Sequence, residues 1–410
     1  MGSEGRTTEG VTGSRRGEQS LAVIDNPEIL LYTRIRKSPY FYASRKHGVA
    51  RYSVYNHTYH PRHYGDPTAE YWHLVNGVTM WDVGVEKQIQ IKGPDAFDLT
   101  NMIVPRDLYK CAVDECKYVF ITAPDGGILN DPVLLRVAED EFWLSLADSD
   151  VNLYALGIAG AKGMDVTVQE IDVAPVQIQG PNAKKVLTEL FGERVLEIPY
   201  YGLMKGELDG MDVVVSRTGY TGEVGYEIYL RDASKHGVKL WDRVLEAGKP
   251  HGLEVIGPCH IRRIEGGILA FGADMWYEHN PFEVGYHYTW MVDLEQEADF
   301  MGKEALKRIK AEGVKRKLVG VDIDGEPLGT YIDNEMIDVF PVSVSGSVVG
   351  KVTSACFSPR LEKNIGFAML PIEHTEHGTQ LEVETPVSGR VKATVVPMPH
   401  WDPTKEIPKG

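Results

Sequence analysis

The chain of 410 residues is 43% apolar and 25% charged, an ordinary globular balance, and its length suggests two or three domains with a core that needs no disulfide or structural metal. Asp and Glu outnumber Lys and Arg by 59 to 43, and the net charge of −16 argues against nucleic-acid backbone binding while leaving room for one small cationic pocket. No apolar run approaches the roughly 18 residues of a membrane span, and Cys111, Cys116, Cys259 and Cys356, none in a Cys-x-x-Cys pair, read as free thiols of a reducing, cytoplasmic setting.

Residues 1–25, rich in Gly, Ser, Thr, Glu and Arg and lacking the apolar stretch of a signal peptide, are expected as a disordered tail. A strand-like stretch from Ala50 to His57 runs into a polar loop through Arg62. Thr68 to Val75 reads as a helix, and Thr79 to Val85 as the next element. Lys87 to Ile91 alternates polar and apolar residues, as a half-buried strand does. It ends in Gly93-Pro94-Asp95-Ala96, and a helix follows through Ile103. Gly then Pro starts a helix well, because Pro is preformed for the first helical position and has no N–H to leave unpaired. The device returns at Gly180-Pro181-Asn182-Ala183, between the strand Val176 to Gln179 and the helix Lys184 to Phe191. Strand, turn and helix recur together, which reads as an internal duplication.

Between and after the repeats, Tyr118 to Thr122, Val133 to Val137 and Phe142 to Ala147 read as strands, and Ser149 to Ala161 as a helix. Met211 to Arg217 and Tyr226 to Leu230 are strands around a glycine-rich loop. His236 to Ala247 and Ile261 to Ala270 read as helices. Met301 to Gly313 is a Lys-rich helical connector. From residue 317 the pattern changes to six short strands: Leu318 to Ile323, Phe340 to Val344, Val348 to Thr353, Ile365 to Met369, Gln380 to Val383 and Val391 to Val395. Such spacing suggests a small all-β barrel or sandwich.

Four stretches could carry chemistry. His57-x-x-His60-x-x-His63 invites a metal reading. Pro61 breaks any regular helix there and no carboxylate or cysteine cluster completes a site, so a pocket wall holding a general acid or substrate clamp is preferred. Gly157-x-x-Gly160-x-x-Gly163 follows a helix rather than a strand and reads as a helix end, not a dinucleotide turn. Gly126-Gly127-Ile128-Leu129-Asn130-Asp131-Pro132 places a carboxylate at a strand start. Ser216 to Tyr229 packs tyrosines, carboxylates and three glycines between strands, and its glycines would let the backbone approach a planar ligand. Glu227, at the start of an apolar strand, would need donors if buried. The amino group and ring N–H of a pterin are a bidentate match for it.

Arg217-Thr218-Gly219-Tyr220-Thr221-Gly222-Glu223-x-Gly225-Tyr226-Glu227-Ile228 resembles the folate-site signature of the glycine-cleavage T-protein family, the folate-dependent aminomethyltransferases. Gly126-Gly127-Ile128-x-Asn130-Asp131 is similar to that family's Gly-Gly-Ile-x-Asp-Asp, and Arg263-Ile264-Glu265-Gly266-Gly267 to its Arg-Leu-Glu-Ala-Gly. Gly350 to Ser354, Ser358 to Leu361 and Ala393 to Val396 resemble its barrel signature. The resemblance spans about residues 45–400. The chain departs from the aminomethyltransferase pattern at Asn130, where the family has Asp, and near Cys259, where it has Arg. Tyr52 to His57, Met80 to Gln88 and Asn280 to Glu283 resemble instead the tetrahydrofolate-dependent demethylase branch, whose donors include dimethylsulfoniopropionate and methoxylated aromatic acids.

The resemblance implies an α+β fold: two related folate-binding domains (residues 26–300), a connector (301–316) and a C-terminal β-barrel (317–402) around a central channel. It implies methyl transfer from a small methylated carboxylate to N5 of tetrahydrofolate. Tyr118, Asp131, Tyr220, Tyr226, Glu227 and Arg263 would hold the folate, with Asp131 and Asn130 near the reacting nitrogens. Tyr55, His57, His60, Arg62, His63 and Trp81 would face the donor; His57 is counted with Asp131 and Asn130 as catalytic, and His57, His60, Arg62 and His63 are all candidates for the proton donor or cation. A methoxybenzoate-like donor is favoured slightly over a sulfonium, because a phenolate leaving group needs the acid or cation this basic segment offers. The alternatives are ordinary aminomethyl transfer, or folate binding without donor chemistry. No metal, nucleic-acid or membrane partner is expected, and no oligomeric state can be read.

Overall fold

The computed structural model describes residues 33–285, 290–329 and 340–410, so the expected tail lies outside the described residues. Among the described residues there are two large antiparallel-rich sheets, one barrel and two small two-stranded sheets. The first sheet runs, edge to edge, Cys116–Tyr118, Val133–Ala138, Glu141–Ser145, Gln88–Lys92 and Thr167–Glu170. The second runs Leu203–Leu208, Met211–Ser216, Gly225–Arg231, Val173–Gln179, Val78–Asp82 and Leu253–Val255.

The duplication is visible in this order. In each sheet a strand ends in Gly-Pro, a helix follows (Ala96–Ile103 or Ala183–Phe191), and the next three strands of that sheet lie in the same places. The two turn glycines share a backbone: φ is +141° at Gly93 and +119° at Gly180, and a Cβ at either would come within 2.6 Å of a carbonyl oxygen. Only glycine tolerates both demands. The fifth place differs. Thr167–Glu170 fills it in the first sheet, and Val78–Asp82, from upstream in the chain, fills it in the second.

Helices cover the second sheet with one apolar face each. Val186, Leu187 and Leu190 of Ala183–Phe191, and Leu240, Trp241 and Val244 of Ala233–Gly248, are buried at helical spacing in one cluster with the sheet residues Val176, Ile178, Val213 and Ile228. Complete burial of side chains this size is worth about 1.5–3 kcal/mol each. A further cluster joins all three units, from Trp81 and Phe120 to Ile261, Ile264 and the barrel residues Leu318, Cys356 and Phe367. All six expected barrel strands are present and close a ring: Arg316–Ile323, Lys363–Pro371, Ser347–Ser358, Phe340–Val344, Gln380–Thr385 and Gly389–Val396. The connector is the helix Lys303–Glu312.

Two expectations need correction. The segment after His57 is a second strand, Thr58–His63, paired with Arg51–Tyr55 in a hairpin rather than a loop. Its turn residues Asn56 (φ 48°) and His57 (φ 58°) are both left-handed, as a two-residue hairpin turn requires. The helix expected to reach Ala270 stops at Glu265, where Gly266 and the left-handed Gly267 (φ +65°) end it. The helix Val151–Lys162 does end at a left-handed Gly163.

Candidate functional site

A cavity of about 960 Å³ lies where the two sheets, the helix His260–Glu265 and the residues after the barrel meet. Its wall includes Tyr55, His60, Arg62, Trp81, Tyr118, Asp131, Tyr220, Glu227 and Arg263. Each sits there for a local reason.

Residues alternate faces along a strand. On the hairpin this puts Tyr55, His60 and Arg62 on one side, and all three line the cavity. The rings of Tyr55 and His60 are 5.5 Å apart. His60 is buried, and neither ring nitrogen has a hydrogen-bond partner among the described residues. Burial, then the nearby Arg62 charge, pushes its pKa well below the usual imidazole range. It is therefore neutral at physiological pH. His63 faces the other way, its Nδ1 2.8 Å from the Gly65 carbonyl. His57 sits exposed at the turn, so the structure does not bring it to the cavity, and a proton donor must be sought elsewhere. The three histidines diverge, and no group of three His, Cys, Asp or Glu among the described residues could hold a metal.

Alternation also sorts the signature strand. Glu227 faces the cavity, while Tyr226 points into the core of the second sheet, not to the cavity. Gln177 Nε2 donates to Glu227 Oε1 at 2.6 Å, Tyr229 Oη donates to Oε2 at 3.0 Å, and Thr218 Oγ1 also donates to Oε2. Burial raises the Glu227 pKa against these donors. Gln177 Oε1 is buried and accepts no hydrogen bond among the described residues. The wall thus presents two neighbouring acceptors, Glu227 Oε1 and Gln177 Oε1, suited to a ligand with adjacent N–H groups. The loop glycines Gly219, Gly222 and Gly225 all line the cavity, and two of them also make room for a side chain. A Cβ at Gly219 or Gly225 would fall 2.2 or 2.1 Å from Gln179 Oε1. Gly219 and Gly225 thereby admit the Gln179 side chain, whose Oε1 accepts from Thr221 Oγ1 at 2.7 Å.

Asp131 lines the cavity, and Tyr118 Oη donates to its Oδ2 at 2.9 Å. Burial pushes its pKa up to about 7. Asn130 does not line the cavity. Its Nδ2 donates to the Ala147 carbonyl at 3.1 Å and Ser149 Oγ at 2.7 Å, and its Oδ1 accepts from Ala147 N at 3.1 Å. Arg263 lines the wall, but its guanidinium is engaged in structure: Nη1 meets Asp274 Oδ2 at 2.5 Å and Nη2 donates to Ser354 Oγ of the barrel at 2.6 Å. Arg262 is likewise held by Glu223, at 2.7 Å.

Several wall residues were not singled out from sequence. Glu86 is the most consequential. Ser145 Oγ donates to its Oε2 at 2.6 Å, and burial, then the Glu227 and Asp131 charges, push its pKa up to about 8. His260 stands one residue before helix residues that sequence did flag. Arg106, Lys117, Lys405 and Lys409 add positive charge elsewhere on the wall. No single motif marks these cations, because they come from distant parts of the chain: Arg106 from a loop, Lys117 from the strand Cys116–Tyr118, and Lys405 and Lys409 from the C-terminal turn and helix.

Residues 41–296 match the GCVT N-terminal domain, and residues 316–402 match the glycine cleavage T-protein C-terminal barrel domain. The chain belongs to the glycine-cleavage T-protein family. As a member of this family it is an enzyme of one-carbon group transfer that uses tetrahydrofolate. It is 37% identical over 353 residues to the dimethylsulfoniopropionate demethylase DmdA of Ruegeria pomeroyi, covering 86% of this chain and 94% of that one. It is 34% identical over 355 residues to an aminomethyltransferase of Symbiobacterium thermophilum, covering 83% and 91%. The fold resembles the crystal structure of glycine cleavage system aminomethyltransferase T from Bartonella henselae, with a TM-score of 0.78 at 22% identity, over 90% of this chain and 99% of that one. The T-protein chain contains, among its described residues, no helix long and apolar enough to cross a membrane.

Proposed function

We propose that this T-protein family member is a demethylase, moving a methyl group from a small methylated carboxylate to N5 of tetrahydrofolate. The observation that carries the reading is His60. A buried imidazole with two unpartnered nitrogens costs free energy unless a ligand meets it. With Arg62 on the same strand face, it suits a donor carboxylate. The similarity to a demethylase of the same family supports the methyl rather than aminomethyl reaction.

In this reading Glu227 and Gln177 hold the pterin, Tyr118, Asp131 and Tyr220 flank it, and Arg106, Lys117 and Lys409 suit the anionic glutamyl end of the folate. Tyr55, His60, Arg62 and Trp81 hold the donor. Bound tetrahydrofolate supplies the nucleophilic nitrogen. The protein aligns donor methyl and nitrogen for displacement and excludes water. A methoxybenzoate-like donor is favoured over a sulfonium because Glu86, its pKa raised to about 8, offers the cavity an acid that can protonate a phenolate. A reducing, cytoplasmic setting suits the four buried free cysteines.

The test is turnover of purified protein with tetrahydrofolate and either a methoxybenzoate or a methylated sulfonium carboxylate. Formation of 5-methyltetrahydrofolate from one of them is expected. Ammonia release from an aminomethylated carrier protein, with no methyl product, would replace this reading by aminomethyl transfer.

A further inference from the structure

Transfer of a methyl group to N5 leaves a proton to be moved. The methyl carbon's bond to the donor atom breaks and its electron pair stays on that atom. The N5 lone pair forms the new C–N bond, and the N5 proton departs. With an O-methyl donor the leaving oxygen needs a proton. With a sulfonium donor the leaving sulfur is neutral and the proton must go to another acceptor.

The histidines do not fill this role. His60 and His260 line the cavity, but burial and nearby arginines hold both well below the usual imidazole range, and His57 is outside the cavity. Glu86 has the geometry for it. It lines the cavity with Asp131 and Glu227, and it also lines a separate groove of about 360 Å³ together with Arg36, Lys87, Glu170 and Asp172. Residue 86 therefore borders both the cavity and a second groove, with its carboxylate buried between them. Its Oε2 is fixed by Ser145 Oγ, which in turn accepts from Gln88 Nε2 at 2.7 Å. The charged and titratable groups that face it are Glu227, Asp131, Tyr55 and Tyr229. Its neighbour Lys87 is turned away to Asp150, at 2.9 Å.

We infer that Glu86 is the proton carrier of the transfer, giving a proton to the leaving atom or taking one from N5, and exchanging it with solvent through the groove behind it. For an O-methyl donor Glu86 gives its proton to the leaving oxygen and regains the one N5 releases, so the cycle is neutral. For a sulfonium donor it starts ionised, takes the N5 proton and passes it to the groove. The inference rests on the proposed folate chemistry.

The test does not require the donor to be known. The full chain is titrated calorimetrically with 5-methyltetrahydrofolate, near pH 8, in two buffers of different ionisation enthalpy, which counts protons taken up on binding. A bound ligand removes water from Glu86 and favours its neutral form, so the wild type takes up a fraction of a proton. Glu86→Gln binds folate with most of this uptake lost, the remainder belonging to Asp131 and Glu227. Ser145→Ala removes a donor to the carboxylate and moves the midpoint of uptake to higher pH. This milder variant serves if Glu86→Gln does not fold. Equal uptake in wild type and Glu86→Gln, or no uptake in the wild type at any pH between about 7 and 9, overturns the assignment. Absence of folate binding by the wild type would be a different failure, that of the proposed function, and would take this inference with it.

Discussion

Tyr118 Oη donates to Asp131 Oδ2 across 2.9 Å, joining the end of one strand of the first sheet to the acidic residue of the Gly-Gly-Ile motif. The bond favours the ionised carboxylate, while burial favours the neutral acid and prevails, raising the pKa to about 7. Tyr118→Phe removes the donor. A hydrogen bond to a charged group is worth about 1.5–3 kcal/mol, or roughly one to two pKa units. The pH limb belonging to Asp131 in single-turnover methyl transfer should move up by that amount. An unmoved limb would show that Asp131 does not control the step.

Arg62 shares a strand face with His60, and both line the cavity. Arg62→Gln should raise KM for a carboxylated donor about ten- to a hundredfold, the loss expected for one charge-assisted hydrogen bond. Folate affinity and kcat should change little. Steady-state kinetics with saturating tetrahydrofolate checks this. An equal loss with an uncharged donor analogue would remove the carboxylate argument.

These two sites show what the sequence could reveal. The Gly-Pro repeats, the six barrel strands and the signature containing Glu227 are local patterns, and periodicity exposes them. Which histidine meets the cavity is not local. It depends on Thr58–His63 being a strand, so that His60 and Arg62 face one way and His63 the other. The hairpin turn at Asn56-His57 has no glycine, so the usual signal was absent. Glu86 was equally hidden: a lone carboxylate after a strand looks like a surface residue until the second sheet closes over it.

Asn130 provides a stability prediction. Together with Asn56, it grips one loop: Asn130 bonds Ala147 and Ser149, while Asn56 Nδ2 donates to Leu146 O at 3.2 Å and its Oδ1 accepts from Ser149 N at 3.1 Å. That loop docks the hairpin which carries His60 and Arg62. Asn130→Asp, which restores the family residue, places a carboxylate oxygen against the Ala147 carbonyl and loses two donated bonds. It should destabilise the protein by about 1–3 kcal/mol, seen as a lower midpoint in urea, and raise donor KM. Unchanged stability would mean that the loop has another anchor.

Glu86 predicts how stability depends on pH. Its folded pKa of about 8 lies above the ordinary carboxyl value of 4.5, so between these values the folded state holds a proton the unfolded chain has released. Stability must then fall as pH rises through this window. Glu86→Gln has no such proton, so its Tm should fall less between those limits and exceed the wild type's at the alkaline end. Asp131 and Glu227, also raised, leave a residual slope in the variant. Parallel Tm profiles would show that Glu86 titrates normally in the fold.

The same residue lets the pH–rate profile identify the leaving group. A methoxyarene needs Glu86 neutral at the start, since its proton goes to the departing oxygen. The rate should then fall as pH rises through about 8. A sulfonium needs Glu86 ionised, ready to take the N5 proton, so its rate should rise through the same region. The sense of the alkaline limb with whichever donor turns over should therefore match its leaving group, and Glu86→Gln should flatten that limb while sparing folate affinity. A limb of the opposite sense, or one unchanged in Glu86→Gln, would mean that the titrating group governs folate binding or the fold rather than the proton that accompanies the methyl.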